Sequence, residues 1–143
     1  MKKELREKVF NKYQGHCSYC GEKIDYKSMQ VDHIMPQSRF CDFVNNQWKI
    51  PEFLKHLSLN DVDHFDNLHP ACRVCNKWKC NFDLEGFRNE MADQLKQLNK
   101  RSSNYRMAKK YGQVQENPKP IIFYFEKKQL DFNNTTLSHV HAG

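Results

Sequence analysis

The sequence predicts an α+β fold in which a short strand lies between two pairs of cysteines, with helices on both sides and a further strand near the C-terminus. Three observations predict this arrangement. A short apolar run with strand character, Met29–Met35, lies between two identical C-x-x-C spacings, Cys17–Cys20 and Cys72–Cys75. Apolar residues recur at helical intervals on both sides of this region. A second run, at about 121–126, is too apolar for an exposed loop and is expected to be a buried strand.

The chain of 143 residues is long enough for one domain with a modest core. We expect a single domain over residues 1–132, with its core at about 15–82, supporting helices at about 83–112 and the strand at about 121–126. The polar segment 133–143 is expected to be a disordered tail.

The formal net charge of +6 suggests an anionic partner, with nucleic acid the first candidate and an anionic membrane surface the second. The sequence contains no apolar run of membrane-spanning length. Its N-terminus begins with charged residues and lacks the apolar stretch of a signal peptide. We therefore expect a cytoplasmic protein that does not use a membrane and keeps its cysteines reduced.

The first helix is predicted from apolar residues that recur every three or four positions, namely Leu5, Val9, Phe10 and Tyr13. This spacing predicts a helix from about Lys3 to Gln14, which Gly15 would end. Its expected role is to cover the core.

The cysteine pairs predict a metal site. Cys17 and Cys20 are followed by Gly21, which suits a tight knuckle whose backbone amides can point at the sulfurs. Because the spacing recurs at Cys72 and Cys75, we predict a structural zinc on these four thiolates. An iron site on the same ligands, a redox protein, and cysteines without a metal are the alternatives.

The two remaining cysteines, Cys41 and Cys80, lie outside this spacing and are expected to be buried apolar residues.

The run Met29–Met35 carries Asp32 and His33 and is ended by Pro36. A carboxylate and an imidazole that are adjacent on a strand point to opposite faces. The two can serve one site only if the strand bends or twists there. An imidazole can accept a proton from water near neutral pH, which makes His33 a candidate general base.

The segment between Gln37 and Asp66 is expected to be irregular, with Pro51 starting one short helix. It could reach over a site or follow a nucleic-acid backbone. Equally, it could be a surface insertion with a small apolar anchor, formed by Phe53, Leu54 and Leu57. Asp63-His64 repeats the Asp-His pair in a polar loop and is an alternative catalytic pair.

Beyond Cys72 the pattern is helical. A helix is expected to begin near Arg73, and Asp83 is suited to cap the next one. The apolar stripe of that helix comprises Leu84, Phe87, Met91, Leu95 and Leu98. Ser102 or Ser103 could cap a further helix, which Gly112 would end. The basic residues here either contact phosphates or form a solvated face; they are Lys96, Lys100, Arg101, Arg106, Lys109 and Lys110.

The order of these motifs resembles that of the HNH endonuclease family. The sequence has C-x-x-C, then Asp-His on a strand, then Asp-Asn-Leu, and then C-x-x-C-Asn-x-x-Lys. The resemblance covers about Cys17 to Asn81. It implies a ββα-metal (His-Me finger) core, in which two antiparallel strands and a helix surround one divalent ion and a structural zinc ties the ends together.

The resemblance also implies a role for each matching residue. His33 would be the general base and Asp32 a metal ligand on the first strand. Asn67 would orient the loop and the base. Asn76 would be the second metal ligand, on the helix, where many members have histidine. Because the asparagine oxygen is a harder ligand than imidazole, Mg²⁺ or Mn²⁺ is expected at this catalytic site.

Two functions follow as hypotheses. The first is a metal-dependent HNH endonuclease that hydrolyses phosphodiester bonds of nucleic acid, with double-stranded DNA the first choice of substrate. Such hydrolysis requires an activated water and a cation on the phosphate oxygens, and Lys79, Lys77 and Arg39 are candidate phosphate contacts. The second is a zinc-stabilised nucleic-acid-binding module without cleavage, which would not require the Asp-His pair or Asn76.

Overall fold

The computed structural model describes residues 1–46 and 50–131, and this part of the chain has an α+β fold. Seven helices and a two-stranded antiparallel sheet are present in it. The elements are α1 Lys3–Asn11, β1 Gln30–His33, α2 Phe40–Asn46, β2 Leu68–Ala71, α3 Arg73–Lys79, α4 Leu84–Ala92, α5 Gln94–Arg101, α6 Ser103–Lys110 and α7 at 124–131. Short 3-10 turns lie at Gln37–Arg39, Glu52–Leu54 and Phe65–Asn67.

The chain divides into two compact units. The first contains Met1–Leu84 together with the described residues from Ile122 onward, and the second is Glu85–Ile121. The helices expected at about 83–112 fall almost entirely in the second unit. None of the helices among residues 1–46 and 50–131 is both long and apolar enough to cross a bilayer. The tail expected at 133–143 lies outside the described residues.

The sheet pairs β1 with β2 in antiparallel register, so that Asp32 lies opposite His69 and His33 opposite Leu68. In a two-stranded sheet, each strand has one edge that is not paired with another strand. Pro70 is tolerated within β2 because a missing N–H at such an edge removes no hydrogen bond between the strands. The Pro70 carbonyl instead accepts a hydrogen bond from the Ser18 amide at 2.9 Å. The sheet is therefore joined directly to the first cysteine knuckle.

Helix α1 is present where the sequence predicts it, but it ends at Asn11 rather than near Gln14. The chain turns sharply after it, with positive φ angles at Gln14 and Gly15. A side chain at Gly15 would also crowd the Phe10 ring, 3.1 Å from the Cβ position. The helix is held against the sheet by its fully buried Val9, which clusters with Met29 and Leu68.

The segment after β1 is more ordered than expected, because it contains α2. The sequence gives little sign of this helix, because its apolar residues span fewer than two helical turns and are flanked by polar residues. Its buried side chains belong to a separate apolar cluster, which comprises Ile34, Met35, Phe40, Phe43, Ile50, Leu54 and Leu57. Leu54 and Leu57 thus act as the predicted anchor, while Phe53 is 36% exposed. Since Ile34 and Met35 directly follow β1, the insertion is fixed to the end of that strand.

The second unit is a series of short helices. The single helix expected after Asp83 is broken at Asp93 into α4 and α5. Ser102 caps α6, as predicted, by accepting a hydrogen bond from the Tyr105 amide at 3.1 Å. Gly112 follows α6 with a positive φ. The chain then folds back on α6, where the carboxylate of Glu116 lies 2.9 Å from the Lys109 ammonium.

The strand predicted at about 121–126 is wrong. Residues 121–123 have no regular structure, and 124–131 form α7. The amides of Tyr124 and Phe125 donate to the carbonyls of Tyr19 and Ser18, at 3.0 and 2.9 Å. The run is only partly buried, since Phe123 and Phe125 are 3% and 1% exposed whereas Ile122 is 45% exposed. Because these two backbone amides donate hydrogen bonds to the cysteine knuckle, they do not require a neighbouring strand.

Candidate functional site

The four cysteines of the paired motifs converge. Their sulfur atoms all lie within 4.8 Å of one another, and those of Cys20 and Cys72 are 3.9 Å apart. In a tetrahedral zinc site with Zn–S bonds of about 2.3 Å, the sulfurs are separated by about 3.8 Å. The cluster formed by Cys17, Cys20, Cys72 and Cys75 therefore has the donor atoms and the spacing to hold a metal such as zinc.

Local backbone structure places each sulfur. In the first knuckle the Gly21 amide donates to the Cys17 carbonyl at 3.0 Å, and Gly21 has a φ of +79° that favours glycine. In the second, Cys72 caps α3, and its sulfur accepts a hydrogen bond from the Cys75 amide at 3.3 Å. The ligands are thus positioned by a turn and a helix N-terminus, which explains why the short spacing is sufficient to predict them.

The thiols of the cluster differ in acidity. The Cys75 thiol and the backbone amides of Cys72, Cys20 and Tyr19 stabilise the Cys17 thiolate and lower its pKa to about 5, against the effect of burial. Burial raises the pKa of Cys20 to about 11, and the hydrogen bond to Cys17 raises that of Cys75. All four are free thiols. A metal ion that binds here must displace the protons of the remaining thiols.

Cys41 and Cys80 lie outside the cluster, and the expectation that they are buried is wrong, because both are exposed. Cys41 follows the buried Phe40 and therefore lies on the outer side of the short helix α2. Cys80 ends α3 with a φ of +46°.

Asp32 lies at the centre of a buried polar group. Its carboxylate accepts a hydrogen bond from the Tyr19 hydroxyl and pairs with the Lys79 ammonium at 3.2 Å. Lys79 also donates to the His33 carbonyl at 2.8 Å. Burial raises the pKa of Asp32, and the Lys79 charge opposes that rise. The same burial lowers the pKa of Lys79.

The phosphate contact predicted for Lys79 is wrong. The side chain is 0% exposed, because it extends from α3 to Asp32 on β1. Its role is to hold the carboxylate and the strand end in place.

His33 is oriented by a residue from the distant loop. Its Nε2 lies 2.8 Å from Oδ1 of Asp63, and the imidazole is 17% exposed. Because a carboxylate can only accept, Nε2 carries the proton in this bond, and in the neutral ring the lone pair is then on Nδ1. The arrangement resembles other carboxylate–histidine pairs, in which the carboxylate sets the tautomer and the ring direction.

A cavity of about 270 Å³ brings three of the predicted residues together. Asp32 and His33 border it from β1, and Asn76 borders it from α3. The rest of the wall comes from residues on either side of these elements, including Gln37, Ser38 and Asn81. The two adjacent strand residues therefore border one space, although their side chains leave the strand in different directions.

Asn67 lies outside the cavity wall and is fully buried. Its Oδ1 accepts from the Met35 amide at 2.8 Å, and its Nδ2 donates to the carbonyls of Met35 and Val62 at 3.2 and 2.9 Å. Its backbone carbonyl accepts from the Ile34 amide at 2.9 Å. These bonds fix the turn after His33 to the loop that carries Asp63.

The other predicted phosphate contacts remain accessible. Lys77 is exposed on α3, and the Arg39 guanidinium stacks 4.9 Å from the Phe43 ring centre and donates to the Asn81 carbonyl at the cavity wall. In the second unit, Lys109 is 46% exposed and pairs with Glu116. The exposed basic residues of that unit include Lys96, Lys100, Arg101 and Lys110.

Comparisons with family models, with curated proteins and with solved structures found no match to this chain. The geometry and chemistry of the site are therefore the basis for a functional proposal.

Two residues that complete the site were missed by sequence reasoning. Asp63 was predicted only as part of an alternative catalytic pair, whereas its carboxylate contacts His33 itself. The signal for it was the repeat of the Asp-His pair in the sequence. Tyr19 lies inside the first knuckle, and nothing in the sequence indicates that its hydroxyl reaches Asp32.

Proposed function

We propose that this protein is a metal-dependent endonuclease of the HNH type, which hydrolyses phosphodiester bonds in nucleic acid. Double-stranded DNA is the first candidate substrate. The observation that supports it most is the shared cavity, because Asp32, His33 and Asn76 border one space although they come from two different elements. A binding module without cleavage would not need this combination of a carboxylate, an imidazole and an amide.

His33 is the general base in this proposal. With Nε2 held by Asp63, Nδ1 is the atom that takes a proton from the attacking water. Asp63 also stabilises the imidazolium that forms, as the carboxylate does in other such pairs. Lys79 and Asn67 hold the backbone that follows the base, through the His33 carbonyl and the Met35 amide.

Asp32 and Asn76 are the protein ligands of a Mg²⁺ or Mn²⁺ ion in this proposal. Both offer oxygen atoms, which these ions prefer, and two protein ligands leave positions for waters and a phosphate. Oδ2 of Asp32 already contacts both Tyr19 and Lys79, but Oδ1 accepts one hydrogen bond, from Lys79, and has a second lone pair. Coordination through Oδ1 therefore does not require those bonds to break. Tyr19 and Lys79 then orient the ligand. Such an ion supplies stabilisation of the negative charge on the phosphate and the leaving oxygen.

The zinc proposed for the four cysteines has a structural role. It connects the knuckle before β1 to the N-terminus of α3, and α3 carries both Asn76 and Lys79. The ion would therefore fix the helix relative to the strand that carries Asp32 and His33. Four thiolate ligands leave no open position for a substrate, which agrees with a structural role rather than a catalytic one.

Charge supports nucleic acid as the partner. The net charge of +6 is accompanied by Lys77 on α3 and by Arg39 beside the cavity wall. Counterion release by these and the other exposed basic residues predicts binding that weakens steeply with salt.

The test is cleavage of supercoiled plasmid, linear duplex, single-stranded DNA and RNA with Mg²⁺ or Mn²⁺, compared with EDTA. We expect nicking that depends on the divalent ion and is lost in His33→Ala. Glu52→Gln is a suitable control, because this exposed carboxylate lies outside the cavity wall and pairs with Lys55. Salt-dependent binding without cleavage of any substrate would instead favour the zinc-stabilised binding module.

A further inference from the structure

A second group of metal-ligating side chains lies outside both the cysteine cluster and the cavity. The ligand atoms of His56, His64 and Asp66 all lie within 4.8 Å of one another. His56 Nε2 is 2.9 Å from Oδ2 of Asp66, and His64 Nδ1 is 3.8 Å from the same oxygen. Two imidazoles and one carboxylate are thus arranged around a common point.

The backbone that carries these side chains is anchored by buried neighbours. His56 lies between Leu54 and Leu57, which are 0% and 4% exposed in the apolar cluster. His64 caps the 3-10 turn Phe65–Asn67, where its Nδ1 accepts from the Asp66 amide at 3.0 Å. Asp66 immediately precedes the fully buried Asn67. Little chain entropy would therefore be lost on binding an ion.

We propose that His56, His64 and Asp66 form a second metal site, which takes a divalent transition ion such as Zn²⁺. Metal–nitrogen and metal–oxygen bonds of about 2.0–2.2 Å separate tetrahedral ligands by about 3.4 Å. The observed separations of 2.9 and 3.8 Å lie on either side of that value. The two imidazoles favour zinc over Mg²⁺ or Ca²⁺, which prefer all-oxygen shells.

The hydrogen bonds of the cluster indicate how the ion would enter. His56 donates its Nε2 proton to Asp66 along their 2.9 Å contact. When the ion binds, the neutral ring takes the tautomer with its proton on Nδ1, so that Nε2 and the carboxylate oxygen both bind the ion. His64 already presents an unprotonated Nδ1, because that atom accepts from the Asp66 amide. When the ion binds, this hydrogen bond is replaced by a bond from Nδ1 to the metal. Three protein ligands leave at least one position for water.

The site would connect two loops beside the cavity. His56 lies in the loop after Glu52–Leu54, whereas His64 and Asp66 belong to the turn before β2. His64 directly follows Asp63, whose carboxylate holds His33. An ion here would therefore restrict the backbone that positions Asp63. Metal binding at this cluster does not depend on nuclease activity, so the two proposals can fail separately.

The experiment is calorimetric titration of Zn²⁺ into the full-length protein after its tightest zinc equivalent has been loaded. We expect one further binding event in the wild type. His64→Ala and Asp66→Asn should lose that event but keep the first zinc, while the control Glu52→Gln keeps both. His56→Gln provides a third test, because this side chain is half exposed and its replacement leaves the apolar anchors unchanged.

Acid should weaken the second event, because protonated imidazoles cannot bind a metal. If wild type, His64→Ala and Asp66→Asn take up the same amount of zinc, the proposal is wrong. The first zinc equivalent and the circular dichroism spectrum show whether each variant is folded, so a misfolded variant is not mistaken for a lost ligand.

Discussion

The cysteine cluster and the cavity share helix α3 but are built in different ways. Cys72 and Cys75 lie at the start of the helix, and Asn76 and Lys79 follow within one turn. Each half of the cysteine cluster is placed by a few consecutive residues. In the cavity, by contrast, Asp32 depends on Tyr19 and Lys79, and His33 depends on Asp63. Short spacings can therefore specify a cluster of metal-ligating cysteines, whereas the position of His33 depends on a partner that is distant in sequence.

Removing a thiolate should have the largest effect. Cys72→Ser is expected to unfold the protein, because apparent binding free energies of structural zinc are about 10–16 kcal/mol and contribute directly to folding. Zinc content and thermal melting by circular dichroism measure the loss. Cys41→Ser is the matched control, since this exposed cysteine lies outside the cluster. A folded, zinc-free Cys72→Ser protein would contradict a structural role for the cluster.

Removing the proposed general base should affect only the cavity. His33→Ala is expected to lower the nicking rate by about 10²–10⁴-fold, the usual contribution of a general base. Zinc content and nucleic-acid affinity should remain, because His33 belongs to neither the thiolate cluster nor the exposed basic residues. Single-turnover nicking at saturating Mg²⁺ is the measurement. An unchanged rate would exclude His33 and make His64 the next residue to test.

Breaking the buried ion pair should destabilise the fold. Lys79→Met leaves the Asp32 charge without its cation at a position that is 5% exposed, which typically costs about 3–5 kcal/mol. Urea unfolding of zinc-loaded protein measures the difference. The double variant Lys79→Met with Asp32→Asn should recover part of the loss, because it removes the unpaired charge. Equal stability of Lys79→Met and wild type would show that the pair contributes nothing.

Asn76→Ala should be milder and should depend on metal. If Asn76 supplies a ligand oxygen, its loss weakens the binding of the catalytic ion, and high Mn²⁺ should restore part of the rate. We expect a decrease of about 10–100-fold at low Mg²⁺, as is common when a metal site is perturbed. Metal titrations of the nicking rate in Asn76→Ala and His33→Ala separate the two roles. A loss that no metal concentration relieves would contradict a ligand role for Asn76.

The sequence predicted the local features and missed the long-range ones. The cysteine cluster and α3 follow from spacing and capping, which act over a few residues. Helix α2 was missed because its two buried phenylalanines, Phe40 and Phe43, are too few to show a helical period. The apolar run at 121–125 was wrongly expected to be a buried strand, because its amides find partners on the knuckle and only Phe123 and Phe125 are buried.

The same limit applies to the cavity. A lysine three residues after Asn76 predicts a surface cation, and only the fold shows that Lys79 is buried against Asp32. Asp63 is exposed and lies in a polar loop, so its link to His33 follows only from the folding of the insertion against the end of β1. Predicting either contact would require knowledge of the tertiary packing.

The smallest expected effect concerns His69, which lies opposite Asp32 on β2. Burial lowers the pKa of this histidine well below its usual value, and the charges of Lys12 and Lys79 lower it further. Its ring packs edge-on against Tyr13 and Tyr19 and 4.6 Å from the Phe125 ring centre. The histidine is therefore neutral in the folded protein at pH values where it is protonated in the unfolded chain.

The sign of the pH dependence follows from proton counting. Below about pH 6.5 the unfolded state binds one more proton at His69 than the folded state does. The free energy of unfolding should therefore decrease as the pH falls, by up to about 1.4 kcal/mol per pH unit from this group. Lys12, whose pKa burial lowers to about 8, is protonated in both states there and does not contribute.

The variant His69→Leu tests this assignment, because it fills a similar volume without a titrating group. Urea unfolding of wild type and His69→Leu at pH 7.5 and 5.5, with zinc present, gives the difference between the two proteins at each pH. Loss of zinc in acid affects both proteins and cancels in that comparison. We expect the stability of the wild type relative to His69→Leu to decrease at pH 5.5. A difference that does not change with pH would mean that His69 titrates with the same pKa in the folded and unfolded protein.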